Sequence, residues 1–272
     1  MHHTEFESPD GFQDAIKCLW YTKYDAGDDM TDFEVVPDGY AEIIFHFGSG
    51  CSVLKDGILQ PLPSPFMMGL LNQPAYFYTK KVFSIIGIRC FPWAIFELLG
   101  LKPDKDGVRV FNHPIAGLQN PLTEYIAMGD IPGAIALVKQ YLLDTRPSTS
   151  VDNTLSKAGV AMKHAKGAMP VSEVASAAHA TVRTLERKFK QSSGYTVKDV
   201  SGLMRFEQVR NILWREPKIN LASLANRLGY TDQAHLSREF KRYSGTTPAA
   251  FARKTKQWKY VGGNDFVAFI QA

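Results

Sequence analysis

Upstream of residue 92 apolar positions tend to alternate with polar ones, whereas downstream they recur at three- and four-residue steps. The alternation, rich in β-branched and aromatic residues, falls between residues 34 and 91 and predicts strands at Ala41–Phe47, Ser52–Leu54, Ile58–Leu62, Ala75–Thr79 and Val82–Phe91. Asp56-Gly57 reads as a hairpin turn, and Pro37-Asp38-Gly39, Gly48–Gly50, Pro61–Pro65 and Pro74 separate the runs. Such strands fit an antiparallel, cupin-like barrel or sandwich. Pro92 then opens a short helix over Trp93–Leu99 that Gly100 closes. Beyond a polar loop, Lys102–Asn112, helical periodicity resumes at Leu118–Ala127 and Ile131–Leu143. Arg146–Ser150 has the composition of a domain boundary. Helices are then expected at about 151–165, 171–178, 181–191, 196–214, 220–228, 232–243 and 247–256. The fold class is therefore multidomain α+β: a β-rich domain with trailing helices at 1–149, an all-helical domain at 150–260, and a tail at 261–272.

The helical half repeats itself. Val174-Ala175 precedes Leu185, Arg187, Phe189-Lys190, Ser193-Gly194 and Thr196; Leu224-Ala225 precedes Leu236, Arg238, Phe240-Lys241, Ser244-Gly245 and Thr247, about 51 residues on. Each copy is a short apolar helix, a turn (His179-Ala180 or Gly229-Tyr230) and an amphipathic helix ended by glycine, the layout of a helix-turn-helix. Leu185 and Phe189, like Leu236 and Phe240, mark the core face of the second helix by their four-residue spacing.

The opposite faces carry candidate DNA contacts. The first presents Arg183, Glu186, Arg187 and Lys190, and the second Ala234, Ser237, Arg238 and Lys241, with Gln233 at its edge. Arginine can pair with guanine O6 and N7, glutamine with adenine N6 and N7, and glutamate can accept from cytosine N4. Lys190, Lys241 and Arg242, with the hydroxyl-bearing helix starts Thr181 and Thr231, suit phosphates instead.

The stretches Ile219–Tyr230, Leu236–Arg242 and Gly245–Arg253 resemble the second helix-turn-helix of the AraC/XylS family of bacterial transcription regulators. The resemblance spans about 100 residues and implies two helix-turn-helix subdomains joined by a long helix, here Val197–Leu213. It assigns base reading to Arg183, Glu186 and Arg187 in the first copy and to Gln233, Ala234, Ser237 and Arg238 in the second. The first copy departs from the family pattern twice, with Val197 where proline is frequent and His179-Ala180 where the turn is commonly Gly-Tyr or Gly-Phe. Adjacent major-groove faces recur about every 34 Å, so one chain engaging both would cover roughly 20 base pairs. Residues 36–48 and 86–100 resemble an N-terminal domain, of unclear ligand, found ahead of some AraC-type DNA-binding domains.

Charge supports the division. The net charge is +4, yet residues 150–272 hold 20 Lys and Arg against 9 Asp and Glu, leaving 11 against 18 upstream. A polyanion would bind the basic half. The cysteines, Cys18, Cys51 and Cys90, form no CxxC pair and suit core packing. No leader segment and no run of 18 apolar residues is evident, so the expected location is the cytoplasm. His46 is the one histidine on a strand where a metal site would call for several ligands, and no catalytic constellation or phosphate loop is visible, so neither enzyme activity nor a cofactor is expected.

For the N-terminal domain, a mouth lined by Trp20, Tyr40, His46, Tyr76, Tyr78, Arg89 and Trp93 would be a small-molecule site, with Arg89 fixing an anionic group. The alternative is that these aromatics are core and that Arg89 pairs with Asp38 or Glu42. The expected partners are double-stranded operator DNA, a small-molecule effector, a second copy of the chain and, for an activator, RNA polymerase; no membrane is expected. In the alternative reading the N-terminal domain only mediates dimer or protein contacts and DNA binding is independent of ligand. The apolar face of Ile131–Leu143 then serves as dimer surface, unless its own domain buries it.

Overall fold

The computed structural model describes residues 2–25, 31–80, 82–101, 107–145, 153–255 and 269–271. The expected boundary at 146–150, part of the loop at 102–112 and most of the tail lie outside the described residues.

Two open antiparallel sheets form the N-terminal half. One runs β1 (His2–Glu7), β2 (Ile16–Asp25), β9 (Val82–Cys90), β4 (Ala41–Gly48), β7 (Phe66–Met68), β10 (Val108–Arg109). The other runs β11 (Phe269–Gln271), β3 (Thr31–Val35), β8 (Ala75–Thr79), β5 (Cys51–Lys55), β6 (Ile58–Leu62). Both keep free edges, so of the two expected arrangements the sandwich forms and the closed barrel does not. Pro61 lies on β6, an edge strand, where its missing N–H costs no ladder bond.

The first sheet is the middle layer. Cys18, Trp20, Ile44 and Ile85 pack against Val35, Val53 and Phe77 of the second sheet. The alternate positions Leu19, Tyr21, Ile43, Phe45, Ile86 and Ile88 join a core built with the helices. Covered on both faces, β2 is apolar without alternation from Cys18 to Tyr21, and β9 from Ile85 to Ile88. Gly87 pairs with Trp20 in this layer, and a Cβ at Gly87 would overlap the Trp20 indole, so glycine is what lets the ring cross the strand. After α1 (Ile95–Leu98) and a 3-10 turn at Pro114–Leu118, α2 (Gln119–Met128) and α3 (Ile131–Asp144) close this side. The buried residues of α3, Ala134, Ile135, Val138 and Leu142, belong to the chain's own core, which uses the face that would otherwise serve a dimer.

The C-terminal half is helical: α4 (Asn153–His164), α5 (Val171–Ala177), α6 (Val182–Ser193), α7 (Val197–Arg215), α8 (Leu221–Arg227), α9 (Gln233–Ser244) and α10 (Pro248–Thr255). Its core is continuous with that of the β-rich half. Tyr195 donates its hydroxyl to the Leu70 carbonyl at 2.8 Å, and Arg210 donates to the Pro37 carbonyl at 2.7 Å. Among the described residues no helix is long and apolar enough to cross a membrane.

Candidate nucleic-acid interface

The repeat holds at the level of individual hydrogen bonds. The turn between α5 and α6 is closed by the Ala180 amide donating to the Ala175 carbonyl at 2.9 Å, and that between α8 and α9 by Tyr230 donating to Ala225 at 3.0 Å. Gly229 takes the left-handed conformation that this turn requires (φ 74°), and His179 takes it too (φ 52°). The departure from Gly-Tyr is therefore absorbed by strain at one residue, of about 1–2 kcal/mol, and the turn keeps its shape. At the other end, Ser193 and Ser244 donate to the carbonyls of Phe189 and Phe240, both at 2.8 Å, ahead of left-handed Gly194 and Gly245.

The helix starts differ. Thr181 caps α6, its hydroxyl accepting from the Thr184 amide at 3.1 Å. In the second copy the turn is one residue longer and Asp232 caps α9, its carboxylate accepting from the His235 amide at 2.6 Å. Thr231, expected at the helix start, precedes the cap and lies 3.4 Å from the His235 ring. Sequence reasoning passed over Asp232 because both residues are ordinary N-caps.

With the inner faces closed by Leu185, Phe189, Leu236 and Phe240, the outer faces are free. Arg183, Arg187 and Lys190 are exposed on α6, and Gln233, Ala234, Arg238, Lys241 and Arg242 on α9; Ser237 is half-buried. Arg242 stacks its guanidinium 5.3 Å from the Tyr243 ring centroid. Glu186 is placed differently from its neighbours: its carboxylate accepts from the Val197 amide at 3.3 Å. That bond ties α6 to the first residue of α7 and needs an N–H that proline would lack, which gives Val197 a physical reason. Thr196 and Asp199 add a reciprocal capping box at the same helix start.

A further polar hub, with no signal in the sequence pattern, sits at Arg205. It donates to Glu239 of α9 at 2.9 Å and to the Gly167 carbonyl at 3.0 Å, while its guanidinium lies 5.2 Å from the Tyr230 ring. The long helix is thereby fastened to the second recognition helix.

The seven candidate ligand residues do not line one mouth. Trp20 is buried between the sheets and donates its indole N–H to Glu42 at 3.1 Å. Arg89 is bracketed by Glu42 at 2.6 Å, Asp38 at 3.4 Å and Glu5 at 3.6 Å, so its charge is already answered. Burial pushes the Glu42 carboxyl up, and the guanidinium opposes that shift. Tyr40 lies at this cluster, 5.6 Å from the Arg89 guanidinium. Tyr76 and Tyr78 flank inward-facing Phe77 on β8, and so point away from the inter-sheet core; Tyr76 donates to Glu34 at 3.3 Å. His46 is held by the Leu62 carbonyl at 3.2 Å, and burial lowers its pKa. Trp93 faces the helical half. Burial raises Cys18 and Cys51 to about 12 and Cys90 higher still, so these thiols pack as thiols.

A family model described as a helix-turn-helix domain matches residues 174–254, and one described as Domain of unknown function (DUF6597) matches residues 4–105. No curated protein matches the chain. Among solved structures, ToxT from Vibrio cholerae is similar over 86% of this chain and 98% of its own, at 9% identity and a TM-score of 0.45. The C-terminal domain of AraT, a response regulator from Geobacillus stearothermophilus, covers 37% of this chain and 84% of its own, at 22% identity and 0.34. The DNA-binding domain of AdpA, solved with a target DNA, covers 39% and 95%, at 23% and 0.36.

Proposed function

We propose that the protein is a sequence-specific, DNA-binding transcription regulator of the AraC type, whose helix-turn-helix domain lies at residues 174–254. The observation that carries this is the duplicated exposure of polar recognition faces on α6 and α9, each backed by the same Leu and Phe core pair. Arg183, Arg187, Gln233, Ala234, Ser237 and Arg238 read bases; Glu186 acts mainly as the tie to α7, given its bond to Val197. Lys190, Lys241 and Arg242 meet phosphates, with Thr181 at the α6 start. The chain acts in the cytoplasm, without catalysis. The N-terminal domain carries the signal, as effector binding or as dimer and protein contacts, and RNA polymerase is a partner if transcription is activated. Any effector must bind two arrangements of the DNA-binding domain with different affinity to control it.

Selection of bound duplexes from random DNA by the full-length protein, at about 0.15 M salt to suppress nonspecific binding, tests the proposal. A recurring motif of two elements about one helical turn apart is expected. Recovery of unselected sequence by folded protein would refute sequence-specific reading.

A further inference from the structure

The two copies of the repeat complete their cores differently. Phe240 of α9 lies 5.0 Å from the Phe206 ring of α7 and 5.4 Å from the Phe251 ring of α10, both in the same domain. Its counterpart in α6, Phe189, meets Trp93, a residue of the N-terminal half, edge to face, with ring centroids 6.0 Å apart and planes at 63°. In repeat register the position of Phe251 is held by Val200, which is buried but carries no ring. Trp93 thus places beside Phe189, from the N-terminal half, a ring that the Phe251 position of the first copy lacks.

Its place is tightly defined. The indole is 1% exposed and stacks on Phe91 at 5.1 Å and 3°. Gly159 of α4 allows the approach, because a Cβ there would overlap the six-membered ring at Cζ2 and Cη2. α1, which begins two residues after Trp93, packs on α6 as well. α9 takes its packing from α7, α8 and α10, and comes near the N-terminal half at its C-cap, where Gly245 lies beside Pro74.

We propose that Trp93 is a positioning residue for DNA reading by α6, so that the N-terminal domain sets the pose of the first recognition helix while the second is posed from within its own domain. This rests on the DNA-reading function proposed above. Phe189 and Arg187 belong to one rigid helix, so a change in the inner packing moves the outer side chains with it. Hydrogen bonds to base edges tolerate displacements of only about 0.5 Å. The N-terminal domain therefore reaches the DNA through one arm of the operator.

The test is random-duplex selection with the full-length protein and its variants, Arg187→Ala and Arg238→Ala marking which motif element belongs to α6 and which to α9. Gly159→Ala, whose methyl displaces the indole, is expected to erase the α6 element, leave the α9 element sharp, and weaken binding to the wild-type site about tenfold or more. Trp93→Phe alone should relax the α6 element, and in the Gly159→Ala background, where it removes the ring atoms in the way, should restore part of it. It also serves as the independent variant if Gly159→Ala does not fold. General destabilisation lowers the active fraction without favouring one element, so the arm-specific change is the diagnostic readout. Retention of both elements by Trp93→Phe, or their equal loss, would overturn the positioning role. Absence of any motif from the wild-type protein would instead overturn DNA reading itself.

Discussion

Arg210, in the C-terminal third of the helix that joins the two recognition units, donates from its guanidinium to the Pro37 carbonyl at 2.7 Å, across the joint between the β-rich and helical halves. The side chain is 2% exposed, and Glu207, Asp38 and Arg89 set the field around it. One residue of that loop, Gly39, adopts φ +83°, and its neighbourhood is filled by Leu203 of the same helix. The joint is therefore a packed and hydrogen-bonded interface. Replacing Arg210 by alanine leaves the carbonyl and the nearby carboxylates without their cation and is expected to cost roughly 3–5 kcal/mol in urea unfolding. Arg210→Lys should cost less, because the charge remains while the planar fork is lost.

Glu207 makes the same joint sensitive to pH. Burial raises its pKa from the ordinary 4.5 to about 7; Asp38 adds to the shift, while Arg210, Arg89 and Lys17 oppose it. An acid with a higher pKa folded than unfolded holds its proton between the two values only in the folded state. Its contribution to stability is thus complete below about 4.5 and is lost as pH rises through about 7. Melting temperature measured against pH should fall over that window in the wild type and stay flatter in Glu207→Gln. The variant should match the wild type near pH 5 and exceed it near pH 8; parallel curves would remove Glu207 as the source.

The two helix starts make a local prediction. Asp232→Ala removes the side-chain acceptor from the His235 amide and should cost about 1 kcal/mol. Thr231→Ala removes no cap, and should cost well under that. Equal losses in chemical denaturation would contradict the assignment of Asp232 as the cap.

Exposed residues of α9 separate by role. Arg238→Ala should relax preference at one base-pair position, at about 1–3 kcal/mol, leaving the rest of the motif unchanged. Lys241→Ala should weaken all sequences alike and reduce the slope of log affinity against log salt by about 1. Titrations over several duplexes and salt concentrations decide between them. Uniform weakening by Arg238→Ala would move it from base reading to phosphate contact.

The helical half was legible because each amphipathic helix is buried on one face, so its 3.6-residue period survives in the sequence, as at Leu185 and Phe189. β2 was missed for the opposite reason: Cys18 and Trp20 face one layer and Leu19 and Tyr21 the other, so no alternation remains. β1 has little apolar pattern of its own, and β7 and β10 are too short to show a period. The outward side chains of the recognition helices followed from the repeat. The Glu186 bond to Val197, the Arg205 hub and the Trp93–Phe189 contact join segments far apart in the chain or depend on one rotamer, and periodicity carries neither.

Protection of guanine N7 from methylation on a selected duplex tests most directly whether α6 and α9 enter successive major grooves, since N7 lies in that groove. Two protected patches are expected on one face of the duplex, about 10 base pairs apart, with Arg187→Ala exposing the guanine it contacts in one patch and Arg238→Ala exposing its guanine in the other. A single patch, or two patches that both variants affect equally, would contradict two-groove reading by this chain.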